Sequence, residues 1–386
     1  MSITRDRIFW TIALQISAVN FFMGGFGPAQ PLLRAEQHTS LAIAGLHGTA
    51  LGVAAIFAGM AAPKLVHTFG RSQTAWLGLA IFSLGGLGFI FAPPVQLTLL
   101  AILICGFGIS VVINSMVTQL SQQFKNRASQ AVSQAAGIGS VGYVLGTLTV
   151  GSIANTSLSW RLGLVIVAPF SLALYLLNKN TGRVDFRDET FLPQRGKLNS
   201  KFWLAWIGFV ACISSEFATT FWSAALLRDR SGSSAAISTI CVVAFGIGMG
   251  AGRWFGPRML HNVGLDRQII SMMLVQFVGF FALWSSHILW VSLVALFANG
   301  IGLAMQFGLI SLRLIGLSQG RPDLAVGQSS LGAGIAIGGA PFFLGLIGDH
   351  LGISRAYLMV PLLIVIGMGM IFLVPTHTNE KIDHEL

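Results

Sequence analysis

The sequence predicts an all-α membrane protein in which twelve transmembrane helices form two pseudo-symmetric six-helix bundles. The chain of 386 residues is 54% hydrophobic and only 9% charged, and its mean hydropathy is +0.76. Soluble domains carry roughly 25% charged residues, so this composition excludes a soluble fold. The apolar residues are gathered into twelve segments, and the second half of the chain repeats features of the first half.

Each segment is long enough to cross a membrane, for which about 20 mostly apolar residues are needed. The first follows the basic stretch MSITRDR and lacks a small-residue cleavage site, so we expect a retained helix instead of a signal peptide. Pro28 and Pro31 are expected to kink or end it. The predicted spans are 8–33, 41–62, 73–92, 95–120, 130–153, 160–177, 202–227, 235–255, 267–285, 288–312, 325–347 and 355–374.

The longest connection, 178–200, lies between the sixth and seventh spans and is polar. It predicts a cytoplasmic linker between an N-terminal bundle, 1–177, and a C-terminal bundle, 201–386, which ends in a short tail. The other connections are short and polar.

The net charge of +10 is distributed as a membrane-topology signal, because the basic residues lie in short gaps between the apolar segments. If successive connections alternate between the two sides, 18 of the 23 Lys and Arg residues fall on the side that holds both termini. Lys and Arg are enriched in cytoplasmic loops. We therefore expect an integral protein of the plasma (cytoplasmic, or inner) membrane with both termini in the cytoplasm, and no nucleic-acid partner.

Two short stretches share one pattern, PKLVHTFG from Pro63 and PRMLHNVG from Pro257. They lie 194 positions apart, and the same offset relates residues in several other regions without a change of register. Matched regions at one constant offset indicate two homologous six-helix halves. The offset relates Leu32-Leu33-Arg34 to Leu226-Leu227-Arg228, Gly106 and Gly108 to Gly300 and Gly302, and Arg161 to Arg355.

The span count, the half-chain repeat and the central loop resemble the major facilitator superfamily. The resemblance implies two parallel six-helix halves with a substrate path between them, and a cavity lined by spans one, four, seven and ten. The family's signature between spans two and three is matched only by Gly70 and Arg71, and its second copy only by Gly264. His67 and His261 occupy the position of the family's acidic residue.

The histidine pair has two interpretations. One is a pH-sensitive cytoplasmic latch, since an unperturbed histidine titrates near ~6.5; the other is a pair of loop residues that cap a helix or face water. Gly70 and Gly264 are each expected to supply a positive φ in a tight turn. The candidate gating-loop residues are His67, Gly70, Arg71, Arg258, His261, Gly264 and Arg313, the last favoured as an interfacial or gate residue over an anion clamp.

Glu216 is the one acid of thirteen placed in the middle of a predicted span. An ionisable group at that depth costs at least ~2.5 kcal/mol at a lipid-facing position, and such residues usually face a cavity. The corresponding residue of the first half is Phe22, so the repeat does not account for the acid. We predict a carboxyl group that couples transport to protons or binds substrate; the alternative is a neutral, hydrogen-bonded structural glutamate.

Other polar residues at mid-membrane depth are candidate substrate contacts. Ser, Thr and Asn also join membrane helices with no ligand present, so each has a structural alternative, and an aromatic residue here is more often packing. A single acid with amide-rich lining suits a neutral or weakly polar compound. The candidates are Asn20, Asn114, Thr219, Thr220, Trp222, Asn299 and Gln306.

The predicted function is secondary active transport of a small organic solute by alternating access, as a proton-coupled symport through Glu216. The alternatives are an uncoupled facilitator, an efflux transporter for amphipathic compounds, and, from another class, a membrane sensor without transport. An enzyme is not expected, because we find no phosphate-binding GK[ST] loop and no nucleophile with a base at credible spacing. No cofactor and no metal are expected; the expected partners are the solute, protons and lipid, and the expected state is a monomer.

Overall fold

The computed structural model describes residues 5–91, 94–124, 127–179, 196–260 and 262–376. Within these ranges the chain is helical and has no strand, and twelve helical segments are long and apolar enough to span a membrane. The predicted all-α membrane fold with twelve spans is therefore confirmed.

Among its described residues the first half contains seven helices, and a 3-10 turn (Trp160–Leu164) opens its sixth span. They are α1 (Arg7–Phe26), α2 (Gln30–Gln37), α3 (Leu41–Phe69), α4 (Arg71–Phe91), α5 (Val95–Phe124), α6 (Ala128–Ile153) and α7 (Val167–Asn178).

The described part of the second half contains nine helices, because three of its spans are interrupted. They are α8 (Ser200–Ser231), α9 (Ala235–Cys241), α10 (Val243–Met259), α11 (Leu265–Ser285), α12 (Leu289–Leu303), α13 (Gln306–Gly316), α14 (Pro322–Leu351), α15 (Ile353–Ala356) and α16 (Met359–Leu373).

The first span is shorter than the predicted segment 8–33. Helix α1 ends at Phe26, and Gly27 closes it by donating its N–H to the carbonyl of Met23. Pro31 then lies in the first turn of α2, where its missing N–H removes no helical bond. The prolines thus end the helix, as expected, and the residues beyond them form a separate short helix.

The internal repeat is preserved in the capping of the helices. Ser40 precedes α3 and accepts a hydrogen bond from the N–H of Ile43 at 3.2 Å. Ser234, its counterpart at the offset of 194, precedes α9 and accepts one from Ile237, also at 3.2 Å. Each serine satisfies one of the first N–H groups of its helix.

The halves are joined most extensively by two helix pairs, α3 with α14 and α6 with α10. Glycine permits the closest approach between α3 and α14, where a Cβ on Gly52 would lie 2.4 Å from the carbonyl oxygen of Gly334. Close approach at small residues is how membrane helices gain packing energy in lipid. The division into 1–177, 178–200 and 201–386 stays a prediction, because residues 180–195 of the linker lie outside the described ranges.

The bundle has two ends that the helix directions define. The termini end holds the start of α1, the end of α16 and the connections α3–α4, α5–α6, α10–α11 and α13–α14. The opposite end holds the connections α2–α3, α4–α5, α8–α9, α11–α12 and α14–α15.

Candidate functional site

Glu216 lies in the middle of α8, sixteen residues from Ser200 and fifteen from Ser231. Its side chain is partly exposed. Among the described residues, its carboxyl group has no hydrogen bond and no cation within the 4.0 Å of an ion pair. A carboxyl group that is partly exposed at this depth faces an internal space, since exposure to lipid is costly.

Arg253 is the basic residue that interacts electrostatically with Glu216. It lies in α10, six residues before Met259, and the two side chains interact electrostatically without direct contact. Its Nε donates to the carbonyl oxygen of Ala304 at 3.3 Å, and its Nη1 donates to Oγ of Ser140 at 3.1 Å. The guanidinium group therefore connects α10 both to α6 of the other half and to the break in span ten.

The break between α12 and α13 explains one of these contacts. Helix α12 ends at Leu303 and α13 begins at Gln306. Carbonyl groups at a helix end lack their usual intrahelical partners and carry the negative end of the helix dipole. Arg253 supplies a donor and a positive charge to the carbonyl of Ala304 in this break. This contact holds the Arg253 side chain at the level of the break.

Sequence reasoning missed Arg253, because the topology count placed it with the eighteen basic residues of the termini side. A signal was present in the internal repeat. At the offset of 194, Arg253 corresponds to Gly59 and Glu216 corresponds to Phe22. Both charges of the pair therefore break the repeat, and they do so in two helices of the same half, α8 and α10.

Tyr143 of α6 is a third polar group of the site that the sequence did not single out. Its hydroxyl is buried and has no hydrogen-bond partner among the described residues. Its ring packs against Phe245 of α10 with the centroids 6.2 Å apart, and it interacts electrostatically with Glu216. A phenol hydroxyl can both donate and accept, so Tyr143 offers an unused polar atom beside the charged pair.

Two of the residues predicted to contact substrate, both in the first half, are accessible. Asn20 of α1 and Asn114 of α5 are both partly exposed. Asn20 lies against α6, where its Nδ2 would be 2.6 Å from a Cβ on Gly139. The structure thus brings Asn20 to the helix that carries Ser140 and Tyr143.

The two amide side chains of span ten that were predicted to contact substrate are buried among helices of the second half. Gln306 is 1% exposed; its Nε2 donates to Gln276 of α11 at 2.9 Å, and Gln276 donates to Oγ of Ser215 at 3.0 Å. Asn299 is also 1% exposed and donates to the carbonyl of Ala295. The structure therefore favours the helix-joining alternative for Asn299, whereas Gln306 keeps a buried Oε1 without a partner among the described residues.

The remaining predicted contacts on α8 are also buried. The indole N–H of Trp222, which is fully buried, donates to the carbonyl of Pro341 on α14 at 2.9 Å, which favours the packing alternative. Thr219 donates to the carbonyl of Ser215, and Thr220 lies against Gly27 where α1 and α8 meet. A direct role in binding substrate stays a prediction for these residues.

The first gating loop has the geometry expected for its glycine. Gly70 closes α3 with φ of 78° and donates its N–H to Val66 at 2.8 Å. His67 is exposed in the last turn of α3. Arg71 begins α4, and its carbonyl accepts a hydrogen bond from Gln119 of α5 at 3.4 Å. The latch hypothesis for His67 stays a prediction.

The second gating loop differs from the first. Gly264 precedes α11 with φ of −58°, so the expectation of a positive φ is wrong there; a side chain would also meet open space. Arg258 is exposed near the end of α10, and His261 lies outside the described residues. Arg313 is 2% exposed and pairs with Asp266 at 2.9 Å. Its Nη2 also donates to the carbonyls of the α16 end, so it clamps three helices of one half.

The opposite end is joined across the halves by a carboxylate. Asp349, near the end of α14, accepts the backbone N–H of Leu41 at 2.7 Å and of Ala42 at 2.8 Å. These N–H groups open α3, where a helix lacks internal partners and favours negative charge. Phe26 of α1 and Phe221 of α8 pack at the same end with their centroids 5.7 Å apart.

The described residues contain no group of three or more His, Cys, Asp or Glu side chains that could hold a metal ion. The polar groups described around Glu216 and Arg253 are instead one acid, one guanidinium and neutral hydroxyl and amide groups. Such a set can bind a small polar molecule and can take up or release one proton at Glu216.

Three comparisons with known proteins, by family profile, by curated sequence and by solved structure, gave the following findings. The profile of the Major Facilitator Superfamily matches residues 12–318. No curated protein sequence matched. A solved structure of a mutant nucleoside transporter NupG is similar, with TM-score 0.78 and 13% identity over 96% of this chain and 100% of that one. A bacterial homologue of the human lysosomal transporter Spinster, solved inward-facing and occupied, gives TM-score 0.69 and 15% identity over 97% of each chain.

Proposed function

This chain belongs to the major facilitator superfamily, and from that premise we propose that it is a secondary active transporter coupled to protons through Glu216. That it is an integral membrane transporter rests on the family and on the twelve spans. The proposal adds symport of a small organic solute by alternating access. It also adds that both termini are cytoplasmic, that the membrane is the plasma membrane, and that the transporter is a monomer.

The observation that carries the proposal is the pair of Glu216 and Arg253 at the boundary between the halves. Membrane-interior charges are costly and are retained where a substrate or proton passes. Arg253 reaches Ser140 of the first half. The charge on Glu216 therefore acts directly on a group that bridges the two halves, so that protonation can alter how they are held together.

The contacts of the opposite end support alternating access. Asp349 and the ring pair of Phe26 and Phe221 join the halves there, and these contacts have to separate for that end to open. In an inward-facing state the opposite end is closed and the central site is accessible from the termini end. The partly exposed Glu216 at mid-depth supports such a state. The nucleoside transporter and the Spinster homologue add the fold and no substrate for this chain.

The orientation rests on the distribution of basic residues. With Arg253 placed inside the bundle, the sequence count still assigns seventeen of the 23 Lys and Arg residues to the termini side and five to the other side. Because cytoplasmic loops carry the excess of Lys and Arg, the termini end is assigned to the cytoplasm.

The experiment is a comparison of wild type with Glu216→Gln in liposomes loaded and assayed with a radiolabelled panel of small organic solutes. Counterflow needs substrate exchange but no net proton movement, so we expect it in both proteins. Accumulation against a gradient, driven by an imposed pH difference, is expected in wild type only. Accumulation of equal size in Glu216→Gln would refute coupling through this residue.

Each alternative gives a different result in the same experiment. An uncoupled facilitator shows counterflow in both proteins and no accumulation in either. A sensor binds a solute without counterflow. Outward movement driven by the pH gradient would indicate efflux.

A further inference from the structure

Three arginines inside the bundle differ in how their charge is balanced among the described residues. Arg161 pairs with Glu36 at 3.0 Å and Arg313 pairs with Asp266 at 2.9 Å. Arg253 has no acid within ion-pair distance among the described residues, and its hydrogen bonds go to two neutral oxygens. A guanidinium ion without a contacting carboxylate is costly in the interior. Binding of an anionic group next to Arg253 would therefore be favourable.

The geometry of Arg253 leaves donors for a ligand. A guanidinium group has five N–H donors in a planar fork. The contacts with Ala304 and Ser140 use Nε and one hydrogen of Nη1, so three donors have no partner among the described residues. The side chain is partly exposed. The anchored Nε fixes the orientation of the fork, and the open terminal nitrogens match the two oxygens of a carboxylate.

The charge of the site depends on one proton. With Glu216 ionised, Glu216 and Arg253 together carry no net charge; with Glu216 protonated, the pair carries +1. The titratable groups that interact with the charge of Glu216 are Arg253 on α10, Tyr143 on α6 and Cys212 on its own helix. Tyrosine and cysteine in their neutral forms add no charge, so the protonated site lacks one negative charge.

We propose that the transported solute is a small organic monoanion with a carboxylate or similar group, held by Arg253 and carried together with the proton on Glu216. The inference rests on the proposed transport function and names its substrate class. The anion supplies the missing negative charge, so the loaded and the empty carrier both have a neutral site. No covalent bond of the solute changes; the proton binds Glu216 on one side of the membrane and leaves it on the other.

This substrate class replaces the expectation of a neutral or weakly polar compound. That expectation counted Glu216 as the one charge of the site, because Arg253 was counted with the basic residues of the termini side. The unpartnered hydroxyl of Tyr143 and the accessible amide of Asn20 remain available for the polar part of such an anion.

The first arm of the test is a thermal-stability screen of the purified full-length protein at pH 5.5 and 7.5. The panel holds size-matched sets of monocarboxylates, their amides and the corresponding amines. We expect carboxylates to stabilise the wild type, more strongly at pH 5.5 than at pH 7.5, and to stabilise Glu216→Gln equally at both pH values. Carboxylate affinity should be at least tenfold weaker in Arg253→Gln and should be partly kept in Arg253→Lys. Ser140→Ala, which removes only one hydrogen bond, is a second variant should Arg253→Gln fold poorly, and should weaken binding by a smaller factor. A panel in which no carboxylate stabilises the protein overturns the proposal.

The second arm measures uptake of the strongest stabilising compound into liposomes. One proton with one monoanion moves no net charge, so uptake should follow the pH gradient and be unaffected by a potassium-diffusion potential. If a neutral compound is instead taken up in response to the pH gradient, and this uptake also responds to the potential, the anion proposal is overturned and proton-coupled transport is left intact. Binding of a carboxylate without uptake would instead contradict the transport function.

Discussion

The contact between Asp349 and the start of α3 predicts how one substitution changes access to the central site. Replacing Asp349 by Asn removes the negative charge and leaves one oxygen to accept from Leu41 or Ala42. A hydrogen bond to a charged group contributes roughly 1.5–3 kcal/mol when shielded. Asp349 is exposed, so solvent weakens the contact and we take about 1.4 kcal/mol, which corresponds to roughly a tenfold shift toward the state open at this end.

The assay is the rate at which a membrane-impermeant maleimide labels Thr220→Cys from the opposite end. Thr220 is 7% exposed and lies against Gly27 of the other half, so it becomes reachable when the halves separate. The three native cysteines are first replaced by alanine. We expect labelling to be roughly ten times faster in Asp349→Asn.

A matched control is available at the same end of the molecule. Asp229 is exposed and accepts a hydrogen bond from Ser354, a contact that stays within the second half. Asp229→Asn should therefore leave the labelling rate unchanged. Equal rates in Asp349→Asn and in the unmodified protein, or an equal increase in both variants, would refute the reasoning.

Four further predictions follow from the described contacts. Arg313→Ala leaves Asp266 without its buried partner, so the free energy of unfolding should fall by about 3–5 kcal/mol, seen as a lower thermal midpoint; an unchanged midpoint would contradict the clamp. Gly52→Val puts side-chain atoms against the backbone of α14 and should destabilise the protein by about 1–3 kcal/mol or prevent its assembly. Tyr143→Phe removes a hydroxyl that has no partner among the described residues, so stability should be kept while carboxylate affinity falls, and the reverse pattern would make the hydroxyl structural. His67→Asn tests the latch, since His67 is exposed; a latch predicts altered transport between pH 5.5 and 8, and an unchanged profile would dismiss it.

The twelve spans could be predicted from sequence because lipid imposes one local rule, a run of apolar residues of fixed length. The end of α1 could also be predicted, since proline disfavours a helix interior, although Pro257 and Pro341 lie inside α10 and α14. The positive φ of Gly70 followed from a tight turn, but the same argument failed at Gly264. That residue adopts an ordinary φ of −58°, because the glycine opens the following helix instead of closing the preceding one.

The site was predictable in part, and its two charges show why. Glu216 was found because it lies in the middle of a predicted span, too far from any polar connection to be a loop residue. Arg253 lay only two residues inside the predicted span 235–255, where a count of loop charges cannot separate an interfacial arginine from an internal one. Its contacts with Ala304 and Ser140 join residues that are 51 and 113 positions away. Only the packing of the helices brings such groups together, although comparison with Gly59 in the first half would have marked the position.

The buried amides show the same limit. Polarity at mid-membrane depth identified Gln306 and Asn299, but it could not say which way they face. Gln306 is held by Gln276 of α11, a partner 30 positions away. Helix rotation decides between cavity lining and helix joining, and rotation is set by neighbours that the sequence pattern does not name.

The most direct test of proton coupling through Glu216 is the number of protons taken up when substrate binds. Purified protein in weakly buffered solution at pH 7.5 is mixed with the strongest stabilising carboxylate of the panel, and the pH change is recorded against binding. Coupling through this residue predicts close to one proton taken up per molecule bound in wild type and none in Glu216→Gln. Binding without proton uptake in wild type, or the same uptake in the variant, would contradict it.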